Sequence, residues 1–202
     1  MQRPPHRAGH GNRQRAFEGW HSRRYDFLAR RLLRRIYRRL AADLATVAPT
    51  GGAVLDVGTG PGVLLVELAR RRPDLRLSGV DRSADMITAA SRNLAQFGDR
   101  ASARVADVAD LPFPDGSFDL ITSSLSLHHW DDPAAAGREL ARVLRPGGQL
   151  VIYDLDRAPF DQLTAALPGQ PCPHRSPFGS GMPFFPKPIR YAVTIGNGAA
   201  GA

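Results

Sequence analysis

The sequence predicts an α/β protein in which a mostly parallel sheet carries helices on both faces. Between residues 53 and 154, short apolar runs of strand length alternate with longer segments of helical period. A glycine-rich segment directly follows the first apolar run and directly precedes the first helical segment. This β-α-β-α order favours parallel strands that are joined by crossover helices.

The predicted elements are bounded by turn residues and helix caps. Five apolar runs are predicted as strands: Ala53 to Val57, Leu75 to Val80, Ala103 to Ala106, Phe118 to Ser123 and Gln149 to Tyr153. Three helices are predicted between them: Val63 to Arg72, a helix that Ser83 caps and that runs to Phe97, and Pro133 to Leu144. The C-terminal part adds a short helix, Phe160 to Leu167, and an alternating strand, Ile189 to Ile195.

The chain divides into four predicted segments with different charge. Residues 1–24 form a disordered basic arm, 25–48 an amphipathic helical extension, 49–195 the α/β domain, and 196–202 a loose tail. Residues 1–40 hold 12 arginines and two acidic side chains, so the rest of the chain has 15 basic and 17 acidic side chains. The net charge of +8 therefore belongs to the N-terminal region.

The composition excludes several classes of protein. No apolar run of 18 residues exists, and arginine pairs interrupt the segment that a secretion signal would need, so we expect neither a membrane span nor export. Cys172 is the only cysteine, which excludes an internal disulfide, and the six histidines show no metal-ligand spacing. These features favour a cytoplasmic protein without a metal site.

The segment from Asp56 to Gly62 carries the strongest functional signal. Its sequence, Asp-Val-Gly-Thr-Gly-Pro-Gly, places glycines at alternate positions, which allows a tight turn and a close approach of a ligand. The following helix offers free N–H groups that suit a carboxylate or a phosphate. A dinucleotide fingerprint needs its third glycine where Val63 stands, so the spacing disfavours an NAD(P)-dependent oxidoreductase.

Four further segments follow in the order typical of one family. They are Asp81 after the second strand, Asp107-Val108 after the third, residues 111–119 before the fourth and residues 142–148 before the fifth. With these segments the chain resembles the class I S-adenosylmethionine-dependent methyltransferases, in particular the small-molecule group that includes the quinone-ring methyltransferases. The resemblance implies a Rossmann-like sheet of seven strands with an antiparallel final strand. Residues 171–178 and 189–195 are the candidates for its last pair of strands.

The resemblance also implies S-adenosylmethionine as the cofactor and a set of residues that bind it. The glycine loop would line the methionine part, the second strand would supply the ribose contact, and the third strand would supply the adenine contacts. The expected residues are Asp56, Gly58, Thr59, Gly60, Gly62, Asp81, Arg82, Met86, Asp107, Val108 and Ser124. Some have structural alternatives, because Asp81 could instead cap a helix and Asp107 could be a turn aspartate.

Two histidines after the fourth predicted strand are the candidates for a general base. His128 and His129 lie where ligands bind in sheets of this type, and a histidine accepts a proton near neutral pH. The alternative is that one packs in the interior while the other lines the pocket without a catalytic role. Trp130 beside them is a candidate wall of the pocket.

The same region limits the nature of the acceptor. Enzymes that methylate amino groups of nucleic-acid bases carry an Asn-Pro-Pro-Tyr-like segment there, whereas this chain has Ser-Ser-Leu-Ser-Leu at residues 123–127. Methylation of cytosine C5 needs a cysteine nucleophile, and Cys172 lies in the proline-rich tail. We therefore expect a small organic or lipid-like acceptor rather than nucleic acid.

The basic N-terminal helix leaves several interpretations open. It could cover the acceptor site, lie on an anionic membrane surface, bind RNA through phosphate contacts, or present a solvated face. The predicted function is methyl transfer to a small acceptor, with peripheral membrane contact through this helix. The rival is a non-catalytic protein of the same fold that associates with membrane or RNA. The oligomeric state has no signal in the sequence.

Overall fold

A seven-stranded sheet organises the chain in the computed structural model, which describes residues 23–169, 171–179 and 188–195, with side chains from Arg34 onward. The strands are β1 (Ala53–Val57), β2 (Arg76–Asp81), β3 (Ala101–Val105), β4 (Phe118–Ser124), β5 (Leu144–Asp154), β6 (His174–Pro177) and β7 (Ile189–Thr194). Their order across the sheet is β3-β2-β1-β4-β5-β7-β6. Strands β1 to β5 run parallel, and β7 is antiparallel to both of its neighbours. The predicted fold class is confirmed, including the antiparallel final strand.

Five α-helices cover this sheet within the described ranges. They are α1 (Arg23–Val47), α2 (Val63–Arg71), α3 (Ala84–Leu94), α4 (Pro133–Val143) and α5 (Phe160–Ala165), with 3₁₀ turns at Ala95–Arg100 and Leu127–His129. The side chain of Ser83 caps α3, because it accepts a hydrogen bond from the N–H of Met86. Not one of these described helices is long and apolar enough to cross a bilayer.

The N-terminal helix differs from its predicted boundary. It begins at Arg23, so the last two residues of the predicted arm are helical. The remainder of that arm, residues 1–22, and the predicted tail, 196–202, lie outside the described residues.

Strand β5 begins five residues before its predicted start at Gln149. Leu144 already pairs with Phe118, and the register then shifts to the pair formed by Leu120 and Gln149. The Arg-Pro-Gly-Gly segment, which predicts a turn, is therefore an irregularity inside the strand. It stays in the sheet because the N–H of Gly147 donates to the carbonyl of Ile195 on the β7 side.

Two hydrophobic cores lie on opposite faces of the sheet. Successive side chains of a strand point to opposite faces, so Val54 belongs to the core with α1, α2 and α3, whereas Leu55 belongs to the core with α4 and α5. In the second core, the ring of Phe160 stacks on Tyr191 with 5.3 Å between the centroids. Both faces are thus covered, as the buried strands of a parallel sheet require.

Helix α1 docks on the first face through its apolar stripe. Ile36, Leu40 and Leu44 from this stripe are at most 2% exposed. Their spacing of four residues places them one above the other on the same face of the helix. Burial of this stripe is what holds α1 against α2 and the sheet.

Two polar clusters fix α1 further. In the Glu67 cluster, the buried carboxylate of Glu67 on α2 lies 2.8 Å from Arg34, 3.5 Å from Arg38 and 3.7 Å from Arg70. Arg34 and Arg38 therefore turn toward α2, although the helical pattern predicts them on the face opposite the apolar stripe.

The second of these, the Asp43 cluster, connects α1 to strands β5 and β7. Asp43 accepts hydrogen bonds from the hydroxyl of Tyr153 on β5 and from Nε of Arg190 on β7, each at 2.5 Å. Tyr153 is fully buried, so its hydroxyl depends on Asp43 for a partner in a place without water. The Glu67 cluster therefore contacts α1 at residues 34 and 38, and the Asp43 cluster contacts it at residue 43.

The carboxyl group of Asp56 lies inside the sheet itself. Asp56 on β1 is fully buried, and its Oδ2 accepts a hydrogen bond from the hydroxyl of Thr59 at 2.8 Å. Its Oδ1 has no hydrogen-bond partner among the residues that the structure describes. Burial raises the pKa of Asp56 to about 7; the hydrogen bond from Thr59 opposes this rise, and the neighbouring Asp81 carboxylate adds to it.

We expect Leu44→Ala to lower the free energy of unfolding by about 2–5 kcal/mol, because it leaves a cavity between α1 and the sheet. Urea denaturation followed by circular dichroism measures this change. Arg35→Ala, on an exposed position of the same helix, is the control and should change the value by less than about 0.5 kcal/mol. Equal effects of the two substitutions would contradict the described docking of α1.

A second prediction concerns the pH dependence of stability. Because folding raises the pKa of Asp56, the folded chain binds this proton more tightly than the unfolded chain. The stability that protonated Asp56 contributes is present below about pH 4 and is lost as the pH rises through about 7. The unfolding free energy of the wild type minus that of Asp56→Asn should fall by about 4 kcal/mol between pH 4 and 8. A difference that stays constant across a urea denaturation series at these pH values would refute this.

Candidate active site

The carboxyl ends of β1, β2, β4 and β5 meet at one edge of the sheet. The connections from β1 and β4 leave in opposite directions there, because β1 leads to β2 on one side of the β1–β4 pair and β4 leads to β5 on the other side. Such a switch point opens a crevice in parallel α/β sheets, and ligands bind in it. Every sequence-predicted site residue, except Met86 on α3, is one of the last two residues of a strand among β1 to β4 or follows such a strand at this edge.

The glycine loop after β1 folds over the end of β2. The N–H groups of Gly58 and Thr59 both donate to the carbonyl of Val80 at 2.9 Å. Gly58 has a φ of 69°, and a Cβ at this position would lie 2.0 Å from Oγ of Ser126. Gly60 has a φ of 52°, but a Cβ there would meet no atom within 4 Å. Gly58 is therefore needed for packing, whereas Gly60 borders open space that a ligand can enter.

Asp81 at the end of β2 connects this loop to α3. Its Oδ2 accepts from the N–H of Gly60 and its Oδ1 accepts from the N–H of Ser83, each at 2.9 Å. Each carboxylate oxygen has a second lone pair, so these bonds leave room for two donors from a ligand. Both interpretations of Asp81 that the sequence allows, a brace at the start of α3 and a ligand contact, are compatible with this geometry.

The neighbours of Asp81 divide between the crevice and the outer surface. Met86 is half-buried in the first turn of α3. Arg82 is exposed and forms an ion pair with Asp131 at 2.9 Å, which links the loops after β2 and β4 at their outer rim. An exposed pair of this kind contributes little stability, so the side chain of Arg82 can exchange partners at low cost.

The segment after β3 has one polar and one apolar residue at the same edge. Asp107 is exposed, and its Oδ1 accepts from the N–H of Ala109 within a tight turn. Val108 is half-buried and packs against the core on the α4 side. Asp107 thus serves as a turn aspartate, which was the structural alternative, while its second oxygen has no hydrogen-bond partner among the described side chains and backbone groups.

The chain after β4 forms a strained turn that packs on the glycine loop. Leu125 has a φ of 54°, which a residue with a side chain rarely adopts. Its N–H donates to the carbonyl of Tyr153, so the turn stays attached to β5. Ser126 follows and accepts from Nε1 of Trp130 at 3.0 Å. Strain of this kind is concentrated at functional sites, where the surrounding contacts hold it.

Within this turn, His128 is held by a buried carboxylate. Its Nδ1 lies 2.6 Å from Oδ1 of Asp154, the last residue of β5, which is fully buried. The same carboxylate accepts from the N–H groups of Leu155 and His128, at 2.6 Å and 3.3 Å. A carboxylate oxygen can only accept, so Nδ1 is the donor and Nε2 is left to take a proton from a ligand.

His129 has a different environment from its neighbour. Its ring centroid lies 3.9 Å from that of His128, and its side chain is exposed. Partial burial lowers the pKa of His129, and the adjacent His128 lowers it further. No described carboxylate forms a hydrogen bond or an ion pair with His129. Of the two predicted candidates, His128 is therefore the one that the structure orients.

Two residues at this edge have no role in the sequence prediction. Asp154 could have been found by the rule that polar residues at the ends of parallel strands share one edge. Tyr37 of α1 fits the apolar helical stripe, yet its hydroxyl lies beside Ser124 and near Asp56. Burial raises the pKa of Tyr37, the Asp56 carboxylate raises it further, and the hydrogen bond with Ser124 opposes the rise.

The comparisons with known proteins agree with this geometry. The family model described as "Methyltransferase domain" matches residues 55–152, which contain the glycine loop and most of β5. The chain is 36% identical over 143 residues to the ubiquinone/menaquinone biosynthesis C-methyltransferase UbiE of Geotalea daltonii, a match that covers 68% of this chain and 60% of that protein. It is 37% identical over 120 residues to the 27-O-demethylrifamycin SV methyltransferase of Amycolatopsis mediterranei, covering 57% and 44%.

A solved structure supports the fold over a larger share of the chain. It belongs to a Methanococcus maripaludis protein described as a candidate S-adenosyl-L-methionine-dependent methyltransferase, with a TM-score of 0.69 and 21% identity over 88% of this chain and 93% of that one. By contrast, the chain spans 44% to 60% of the length of the two curated relatives. Through the glycine loop, the strand order and these matches, the chain belongs to the class I S-adenosylmethionine-dependent methyltransferases and resembles their quinone-ring group.

Proposed function

We propose that this chain transfers a methyl group from S-adenosylmethionine to a quinone-like or otherwise lipid-like small acceptor. The observation that carries the proposal is the oriented His128, held by buried Asp154, at the same edge of the sheet as the glycine loop. The glycine loop suits a methyl donor, whereas His128 suits the removal of a proton from an acceptor. Membership of the family indicates the reaction class, and the geometry of the site indicates which residues serve the donor and which serve the acceptor.

The donor side of the edge fits S-adenosylmethionine in charge and in shape. Oδ1 of Asp56, which has no hydrogen-bond partner in the described ranges, offers an acceptor to a cation, and the open space at Gly60 allows the backbone to approach a ligand. We assign the methionine part to the backbone of residues 58–62 and the ribose hydroxyls to Asp81. The adenine ring is assigned to Met86, Asp107 and Val108, with Arg82 at the rim.

When it is bound, S-adenosylmethionine supplies a methyl group that is already electrophilic, because it is attached to a positively charged sulfur. The main task of the protein is therefore to align donor and acceptor and to exclude water. Correct alignment alone can lower the barrier by about 7–11 kcal/mol. The rigid glycine loop on one side and the turn after β4 on the other are suited to this alignment.

His128 has the chemistry of a general base for the acceptor. Its Nε2 takes the proton of an acceptor hydroxyl, and Asp154 stabilises the resulting imidazolium through Nδ1. In a ring hydroxyl, this removal of a proton makes both the oxygen and the neighbouring ring carbon nucleophilic. The same base therefore serves O-methylation and C-methylation, the two reactions in the names of the relatives.

The proposal includes a working position in the cytoplasm beside a membrane, where lipid-like acceptors are found. Arg35, Arg38 and Arg39 of α1 are exposed, and basic residues of an amphipathic helix are attracted to anionic lipid surfaces. Part of this charge is compensated by Glu67. We therefore expect a weak contact of α1 with such a surface.

We expect Asp81→Asn to weaken the binding of S-adenosylmethionine by about 10- to 100-fold, because it removes the charge that strengthens two ribose hydrogen bonds. Isothermal titration calorimetry measures this, with Asp85→Asn on the exposed first turn of α3 as the matched control. NADH should not bind to the wild type. Unchanged affinity in a folded Asp81→Asn variant would remove Asp81 from the donor site.

A separate prediction tests the base. His128→Ala should lower kcat by about 10²- to 10⁴-fold with a reduced quinone that carries a short isoprenoid tail, measured as formation of S-adenosylhomocysteine. Donor affinity should change less than about twofold, because the hydrogen bonds of the His128 side chain among the described residues go to Asp154 and not to a residue that we assign to the donor. Asp154→Asn should lower kcat in the same direction, whereas His129→Ala should cost less than about tenfold. Full turnover by His128→Ala would exclude a base role for this residue.

A further inference from the structure

The turn after β4, residues 125–130, is attached to β5 by hydrogen bonds that do not involve the glycine loop. The N–H of Leu125 donates to the carbonyl of Tyr153 at 2.8 Å, and the ring of His128 is held by Asp154. These contacts orient His128 relative to β5, whereas the glycine loop follows β1, which lies two strands away. A separate contact is therefore needed to fix the distance between His128 and that loop.

Ser126 supplies such a contact from the same turn. A Cβ at Gly58 would lie 2.0 Å from Oγ of Ser126 and 2.6 Å from its Cβ, so the side chain of Ser126 lies directly against the glycine loop. The carbonyl of Ser126 accepts from the N–H of His129 at 2.9 Å, at the start of the 3₁₀ turn that contains His128. Ser126 thus connects the glycine loop to the segment that carries the base.

Trp130 holds the side chain of Ser126 in this position. Its indole N–H donates to Oγ of Ser126 at 3.0 Å, and its backbone N–H donates to the carbonyl of Leu127 at 3.1 Å. The indole ring is half-buried and packs against the core on the side of α4 and α5. Gly58 is therefore linked, through Ser126, to a ring that is anchored in that core.

We infer that Ser126 and Trp130 form a positioning pair, which sets the distance between the glycine loop and His128. This role rests on the proposed function, in which the loop binds the methyl donor and His128 acts on the acceptor. A displacement of about 1 Å between reacting groups can cost about 100-fold in rate. Loss of the bond between Ser126 and Trp130 should therefore slow methyl transfer without weakening the binding of the donor.

The first experiment observes the hydrogen bond itself and needs no acceptor. The chain has two tryptophans, so Trp130→Phe identifies the indole N–H signal of Trp130 in the NMR spectrum by removing it. We expect Ser126→Ala to move this signal upfield and to speed its exchange with water, because the N–H loses its acceptor. Ser117→Ala is the matched control. It removes a hydroxyl that donates to the carbonyl of Pro114 before the start of β4, at the opposite edge of the sheet, and should leave the signal unchanged.

The second experiment measures turnover with a reduced quinone that carries a short isoprenoid tail. Ser126→Ala and Trp130→Phe should each lower kcat by about 10- to 100-fold. The affinity for S-adenosylhomocysteine and the KM for the quinone should each change less than about twofold. The double variant should lose little more than the worse single variant, because both substitutions break the same bond. Ser117→Ala should leave kcat, KM and this affinity unchanged.

The possible outcomes separate this pair from the proposed function. If the indole signal of Trp130 does not move in Ser126→Ala, or if both single variants keep the wild-type kcat, the pair does not position the turn and the inference is wrong. Lower stability in urea with an unchanged kcat has the same meaning, because the pair then serves the fold alone. If His128→Ala still lowers kcat in these cases, the proposed function stands without the pair. If the folded wild type does not methylate the quinone, both proposals are overturned.

Discussion

Parallel pairing of β1, β2, β4 and β5 is the constraint on which the rest of the molecule depends. Strands that run in the same direction present all of their carboxyl ends at one edge, whatever the separation of these residues in the chain. The glycine loop, Asp81, the turn after β4 and Asp154 become neighbours for this reason alone. Helices on both faces are the counterpart of this pairing, because each parallel connection must cross back over the sheet.

This edge concentrates features that oppose folding. It contains the buried carboxyl group of Asp56, one oxygen of which has no partner in the described part of the chain, a left-handed backbone at Leu125, and a second carboxylate at Asp81. The two cores and the clusters around Glu67 and Asp43 supply the stability that compensates, and the Asp43 cluster reaches this edge through Tyr153, the residue before Asp154. Such a division is expected when a rigid scaffold carries a site whose groups are arranged for a ligand rather than for one another.

Most of the sheet was predictable because its strands are short apolar runs between strong turn and cap signals. The glycine loop and Asp81 were predictable for a related reason, since their roles depend on the backbone and on their distance along the chain. Asp154 was missed because its partnership with His128 requires knowing that β5 lies next to β4. The polar surroundings of the Tyr37 hydroxyl were missed, because a tyrosine in an apolar helical stripe gives the same pattern whatever its hydroxyl faces. The predicted start of β5 was wrong, because Pro and Gly residues can interrupt the register of a strand without ending it.

The Asp43 cluster also has a consequence for the order in which the chain is assembled. Asp43 and Arg190 are 147 residues apart, so α1 leaves the ribosome long before its partner on β7 is synthesised. During that interval the apolar stripe of the helix can rest on α2 but lacks its second attachment. Contacts of such long range form late and slowly in folding. Pairing of β7 with β5 therefore also completes the attachment of α1, because it places Arg190 beside Asp43.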